Sequence, residues 1–288
     1  MPISGKTQVC GVIGDPIEHT LSPTMHNAAF NHLKLDFIFL AFRVKAAQLE
    51  NAMRGMRGLG IRGLNVTMPD KNAVIKYLDV VDPTVKFLGS ANTILNDDGR
   101  LLGFNTDGVG ALKALRENGV ELDGKKLLLL GAGGAAKAIA FSIAKEVGEL
   151  VILNRVSEKA KELAEALSVT YGKKVVGEAL SPSVIQKSLQ DADILINATS
   201  VGMHPHVSQS LVAPQWLKPD LTVMDIVYNP VETKLAKDAK AAGAHVISGV
   251  EMLLYQGAAS FEIWTGRSAP IEVMRKAALN KLGAGATG

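Results

Sequence analysis

Gly131-Ala-Gly-Gly-Ala-Ala136 sets two glycines a residue apart, directly after the apolar run Lys126-Leu-Leu-Leu-Leu130 and directly before a helix-like segment. Strand, tight turn and helix in that order suit the binding of a pyrophosphate. Gly131 and Gly133 let the backbone turn sharply and approach the phosphates, and Ala136 is small enough for the helix to pack on the sheet. Gly134 and Ala135 open the helix, whose first turn offers unpaired N–H groups and a positive dipole end. An ordinary packing turn is the weaker alternative. The next apolar run, 150–154, ends in Asn154-Arg155, with Ser157 and Lys159 just beyond. A site for NAD wants a carboxylate there, about 20 residues past the glycines. Arg155 instead suits a 2′-phosphate through a forked, charge-assisted contact. Ser157 can add a hydroxyl or cap the helix that follows. The pattern reads as NADP over NAD, against a competing reading as a solvated basic pair at a helix start.

A second set of polar residues lies in the first third of the chain. In His19-Thr-Leu-Ser-Pro-Thr-Met-His-Asn27, Thr20 and Ser22 are two apart, so in an extended stretch both hydroxyls point one way. Two hydroxyls can hold a carboxylate without a fixed cation. A cap by Ser22 on a helix starting at Pro23 explains the same residues, and spacing alone favours it. In Asn65-Val-Thr-Met-Pro-Asp-Lys71, a strand ends at Val66 and Pro69 opens a helix with Lys71 in its first turn. A cation is disfavoured at that end of a helix, which suits a lysine that must exchange a proton. Asp70 beside it works the other way. Placement alone favours a solvated surface lysine. Ala91-Asn-Thr93 is a polar pair ahead of a strand, and Gly103-Phe-Asn-Thr-Asp-Gly108 puts Asp107 at a helix start, where capping is the plain explanation.

The elements that must carry these groups alternate. Strands are expected at 126–130, 150–154, 174–177, 194–197, 222–226 and 245–247, with helices between them such as 157–167 and 231–242. Six short strands alternating with helices imply a doubly wound parallel sheet. Ligands of such sheets bind beyond the carboxyl ends of the strands, so the segments after the fourth and fifth strands, Asn197-Ala-Thr and Tyr228-Asn-Pro230, should border the cofactor. The first hundred residues form a further α/β unit, with strands at 9–13, 37–42 and 63–66 and helices at 23–33 and 46–59. Helices at 252–264 and 270–282 pack back on it, and the tail 283–288 frays.

Bulk properties bound the rest. The 288 residues suffice for two domains, with 47% apolar and 20% charged residues. No apolar run approaches the roughly 18 residues of a membrane span. A net charge of +3 does not argue for nucleic acid and is compatible with small anionic ligands. One cysteine, Cys10, excludes an intrachain disulfide and suits a reducing cytoplasm. The polar N-terminus does not look like a signal peptide. The six histidines are scattered, so no metal is expected.

Together the segments resemble the shikimate dehydrogenase family. The resemblance rests on Gly14-Asp-Pro with Leu21-Ser-Pro and His26-Asn, on Asn65-Val-Thr with Pro69 and Lys71, and on Gly89-Ser-Ala-Asn-Thr93 and Gly103-Phe-Asn-Thr-Asp107. It continues through Gly131-Ala-Gly-Gly-Ala135, Asn154-Arg155, Asn197-Ala-Thr, Tyr228-Asn-Pro and Gly249-Val-Glu-Met-Leu with Gln256-Gly. It implies a two-lobed α/β fold. Residues 1–108, completed by 249–288, would form the substrate-binding catalytic domain, and 109–248 a doubly wound Rossmann domain for NADP. The implied reaction is the reversible, NADPH-dependent reduction of 3-dehydroshikimate to shikimate in aromatic amino-acid biosynthesis.

The resemblance also implies roles. Thr20 and Ser22 would bind the substrate carboxylate, Lys71 would be the acid/base group, and Asp107 its partner on the reacting oxygen. Thr67, Asn92, Tyr228 and Gln256 would hold ring hydroxyls or border the substrate. Gly131, Ala132, Gly133, Gly134, Ala135, Asn154, Arg155, Ser157, Lys159, Ile226 and Gly249 would contact NADP. The family more often has serine at position 20, threonine or serine at Val156, and arginine at Lys159, which bears on substrate ranking and on strict NADP use. The alternatives are a quinate/shikimate dehydrogenase with relaxed substrate or cofactor choice, and a non-catalytic NADP-binding sensor. A small-molecule substrate, no nucleic acid, no membrane, a cytoplasmic location and a homodimer are compatible with the family.

Overall fold

The computed structural model describes residues 3–284. It divides into two compact units: one runs to Thr106 and resumes at Leu254, and the other is Asp107–Leu253. The first unit begins with β1 (Gln8–Gly14), α1 (Ser22–His32), β2 (Phe37–Arg43), α2 (Leu49–Gly58) and β3 (Gly63–Val66). It continues through β4 (Val80–Val81), α3 (Pro83–Leu88), β5 (Thr93–Asp97) and β6 (Arg100–Phe104). These strands form one mixed sheet in the order β2-β1-β3-β5-β6-β4. β1 runs parallel to β2 and β3, while β5 is antiparallel to both β3 and β6. The β5–β6 hairpin turns at Asp98 and Gly99, with φ of +49° and +86°. Positive φ at both central residues is what a tight hairpin needs to match strand twist, and Asp-Gly supplies it.

Two expectations for this unit change. Ser22 does not cap α1: it is the helix's first residue, Leu21 holds the cap position, and no side chain caps the helix. No helix opens at Pro69 either. Residues 68–72 form a turn, and a 3-10 helix follows only at Ala73–Tyr77. The Lys71 carbonyl accepts the Ala91 N–H at 2.8 Å, so it is taken by the loop before β5 and cannot continue a helix ladder.

The second unit holds α4 (Asp107–Glu117), β7 (Lys126–Leu130), α5 (Gly134–Ile143), β8 (Glu149–Asn154), α6 (Ser157–Tyr171) and β9 (Val175–Ala179). After these come α7 (Pro182–Leu189), β10 (Ile194–Asn197), β11 (Thr222–Asp225), α8 (Lys234–Ala241) and β12 (His245–Ile247). All six strands are parallel, in the order β12-β11-β10-β7-β8-β9. The order reverses between β7 and β10, which is the switch point of a Rossmann sheet and the place where such sheets bind ligands. Leu127, Leu128, Leu129 and Leu130 are buried, as a central parallel strand covered on both faces requires. α6 runs past its expected end to Tyr171 and stops at Gly172, which takes φ +64°. α8 starts late because Thr233 caps it, accepting the Ala236 N–H at 3.2 Å.

The boundary between the units falls within α9 (Gly249–Thr265). α10 (Ile271–Ala284) packs on α1 within the first unit. Most of the tail expected to fray, 285–288, lies outside the described residues. No helix of the described residues is long and apolar enough to cross a membrane.

Candidate active site

In the second unit the glycine turn sits at the carboxyl end of β7. Gly131 takes φ +111°, and its N–H donates to Leu153 O at 2.7 Å. A Cβ at Gly131 would meet Ala198 O at 2.9 Å, so the loop after β10 leaves no room for a side chain. Gly133 and Gly134 are exposed, and a Cβ on either would meet no protein atom within 4 Å. The turn is therefore walled by protein at Gly131 and open at Gly133. No side chain caps α5, whose first amides are those of Gly134 and Ala135. Ala136 is fully buried, as close packing of α5 on the sheet demands.

Asn154 ties this turn to the loop after β8. Its Oδ1 accepts the Ala132 N–H at 3.2 Å, and its Nδ2 donates to Val156 O at 2.9 Å. Arg155 and Lys159 are exposed on either side of half-buried Ser157. Ser157 does not cap α6. Val156 holds the cap position, and the Ser157 hydroxyl donates to Glu158 Oε1 at 2.8 Å. Gly249 and Ile226 are packed together: a Cβ at Gly249 would meet Ile226 O at 2.6 Å and Val227 O at 2.5 Å. Tyr228 follows, with its phenol pushed above the usual range by burial. An open glycine turn, an uncapped helix start and exposed cations beside it fit an NADP molecule.

In the first unit the Thr20 hydroxyl donates to Ser22 Oγ at 3.2 Å, and Thr20 Oγ1 accepts the Ser22 N–H at 3.3 Å. The pair is joined as the two-residue spacing suggests, and neither hydroxyl serves as a helix cap. Thr67 is held by its N–H on Ile13 O at 3.0 Å, and its methyl takes the space that a Cβ at Gly14 would need. Lys71 lies half-buried in the turn after β3, linked through its carbonyl to Ala91 and so to the loop carrying Asn92. Asn92 is buried and reaches Gln256 Oε1 at 3.5 Å. Asp107, buried at the start of α4, belongs to the second unit, where Gly108 packs against Ala138 and Ser142 of α5. Among the described residues, no group of three or more His, Cys, Asp or Glu side chains is placed to hold a metal ion.

Sequence reasoning missed two supporting networks. Asp225 at the end of β11 is buried, and burial pushes its carboxyl above the usual range. It accepts from Asn197 Nδ2 at 2.9 Å, Val227 N–H at 3.1 Å and the Thr233 hydroxyl at 2.6 Å. Asn65, Thr93, Thr106 and Ser260 surround Asn92 in the first unit. Their asparagines and threonines stand in polar segments visible in the sequence, but Asp225 and Ser260 do not stand out there, and which groups pair is set by tertiary folding.

Three family models match the chain: the shikimate dehydrogenase substrate binding domain over residues 12–94, shikimate/quinate 5-dehydrogenase over 113–242, and the shikimate 5'-dehydrogenase C-terminal domain over 249–279. The chain is 49% identical to the NADP(+) shikimate dehydrogenase of Methanosarcina barkeri, over 96% of this chain and 99% of that protein. It is similar to a crystal structure of a shikimate dehydrogenase in complex with NADP+, with a TM-score of 0.91, 42% identity and 98% of each chain covered. It is also similar to the shikimate 5-dehydrogenase of Thermus thermophilus in complex with NADP(H) and shikimate, with a TM-score of 0.85, 34% identity, and 95% of this chain and 99% of that one covered. By sequence over nearly its whole length and by fold, the chain belongs to the shikimate dehydrogenase family.

Proposed function

We propose that the chain is an NADP-dependent shikimate dehydrogenase, reversibly reducing 3-dehydroshikimate to shikimate for aromatic amino-acid biosynthesis. One observation carries this reading: the family models and an NADP(+) shikimate dehydrogenase relative match the chain across both units. NADPH, when bound, supplies the hydride that adds to the ketone carbon. The chain's own residues must bind, orient and manage one proton. Thr20 and Ser22 hold the substrate carboxylate. Thr67, Asn92, Tyr228 and Gln256 hold or border the ring hydroxyls. As the ketone oxygen gains alkoxide character, a cationic Lys71 stabilises it and delivers the proton. Asp107 accepts a hydrogen bond from the new hydroxyl. Gly131 to Ala135, Ile226 and Gly249 seat the dinucleotide, Asn154 and Ser157 border its ribose, and Arg155 with Lys159 meets the 2′-phosphate.

In this reading, residues 1–108 with 249–288 bind substrate and 109–248 bind cofactor. A homodimer in the cytoplasm completes it. Cys10 is a core residue: its thiol is buried, and burial pushes it up to about 12. Relaxed use of quinate is the second reading, since the extra methyl of Thr20, beside the hydroxyl bonded to Ser22, bears on how the two substrates rank. The test is a grid of shikimate or quinate against NADP+ or NAD+, followed by nicotinamide absorbance. Fastest turnover with shikimate and NADP+ is expected. Comparable turnover of quinate gives the relaxed enzyme. Tight NADP+ binding with no absorbance change in any arm contradicts catalysis.

A further inference from the structure

Asn65, Asn92, Thr93, Thr106 and Ser260 form a hydrogen-bonded cluster in which every side chain is more than nine-tenths buried. Two backbone groups set its direction. The Thr106 N–H can only donate, and it donates to Asn92 Oδ1 at 2.8 Å. The Asn92 carbonyl can only accept, and it accepts from Asn65 Nδ2 at 3.1 Å. Both asparagine amides thus have one permitted orientation. Asn65 Nδ2 also lies 3.0 Å from Ser260 Oγ and 3.2 Å from Thr93 Oγ1, and its second hydrogen is shared between these two acceptors. The Thr93 hydroxyl passes its own hydrogen to Asn92 Oδ1 at 2.9 Å. Ser260 then keeps its hydrogen for Thr93 Oγ1 at 2.8 Å or Gln256 O at 3.1 Å. On its other side, Asn92 Nδ2 donates to Thr106 Oγ1 at 2.9 Å and reaches Gln256 Oε1 at only 3.5 Å. A flipped Asn92 would set an amide NH₂ against the Thr106 N–H.

We propose that Asn65, Thr93 and Ser260 are positioning residues that lock Asn92 with its amide N–H, never its oxygen, toward the Gln256 side. The group bound there must then be an oxygen accepting a hydrogen bond, as a ring hydroxyl can. The proposal rests on Asn92 and Gln256 being substrate residues. Holding the amide in advance removes the reorganisation that a freely turning asparagine would need, and buried networks of this kind are rigid when every member is satisfied.

Two variants of Thr93 separate positioning from packing. Thr93→Val keeps the shape and removes the hydroxyl, whereas Thr93→Ser keeps the hydroxyl and removes the methyl. The readouts are KM for shikimate and kcat at saturating NADP+, with the Kd of NADP+ measured alongside. Thr93→Val should raise KM for shikimate about tenfold or more, while Thr93→Ser stays within about threefold of wild type. The Kd of NADP+ should not move in either. The reverse order, or equal KM values in the two variants, overturns the proposal. Ser260→Ala carries the same expected rise if Thr93→Val does not fold, and a wild-type KM there overturns it equally. Wild-type oxidation of shikimate is the control. Its absence removes the substrate assignment, whereas wild-type turnover with indifferent variants removes only the positioning role.

Discussion

The Thr20 and Ser22 hydroxyls lie 3.2 Å apart and are bonded to each other, with Ser22 standing inside α1 rather than capping it. A hydrogen bond to a charged group contributes about 1.5–3 kcal/mol. Ser22→Ala should therefore raise KM for shikimate about tenfold to a hundredfold, with a smaller change in kcat. Thr20→Ser should retain shikimate turnover and shift its ratio to quinate. Unchanged KM in both Ser22→Ala and Thr20→Ala would remove the pair from carboxylate binding.

Arg155 is exposed beside a turn braced by Asn154. Arg155→Ala should raise KM for NADP+ about tenfold to a hundredfold and leave that for NAD+ nearly unchanged. Asn154→Ala should weaken both cofactors, because it frees the Ala132 N–H and Val156 O that shape the turn. Initial rates with each cofactor measure this. Equal losses for NADP+ and NAD+ in Arg155→Ala would contradict a 2′-phosphate contact.

His26 stacks on Phe39, with ring centroids 4.4 Å apart and planes 9° apart, and Trp264 lies at 5.3 Å. Full burial without a hydrogen-bond partner on either ring nitrogen pushes its pKa down to about 3. In the unfolded chain histidine titrates near about 6.5. Between those values the unfolded state binds a proton that the folded state does not. This contribution to stability is intact above about pH 6.5 and is lost as the pH falls toward about 3, by up to about 1.4 kcal/mol per unit. Urea unfolding at several pH values should show a flatter acid limb in His26→Phe. Parallel limbs would contradict the assignment.

Asp225→Ala should destabilise the protein by about 3 kcal/mol or more, because it strands three buried donors at once: Asn197 Nδ2, the Val227 N–H and the Thr233 hydroxyl. The melting temperature measures this, and an unchanged value would contradict it.

Much of the second unit was legible because its central strands are buried on both faces. β7 at Lys126–Leu130 and β10 at Ile194–Asn197 stand where apolar runs bounded by turn residues put them. The β5–β6 hairpin was also readable in principle, from Asp98-Gly99 between two apolar runs. The turn holding Lys71 was not, because Ala91, twenty residues on, claims the carbonyl that a helix would have used. Ser260 and Asn65 meet across 195 residues, and no local pattern marks such a pairing.

In the proposed reaction it is the Lys71 ammonium that moves the proton. The most direct measurement of this is kcat for Lys71→Ala with saturating shikimate and NADP+. That kcat should fall by about 10²–10⁴, with KM for shikimate changed only modestly. Turnover near that of the wild type would contradict it.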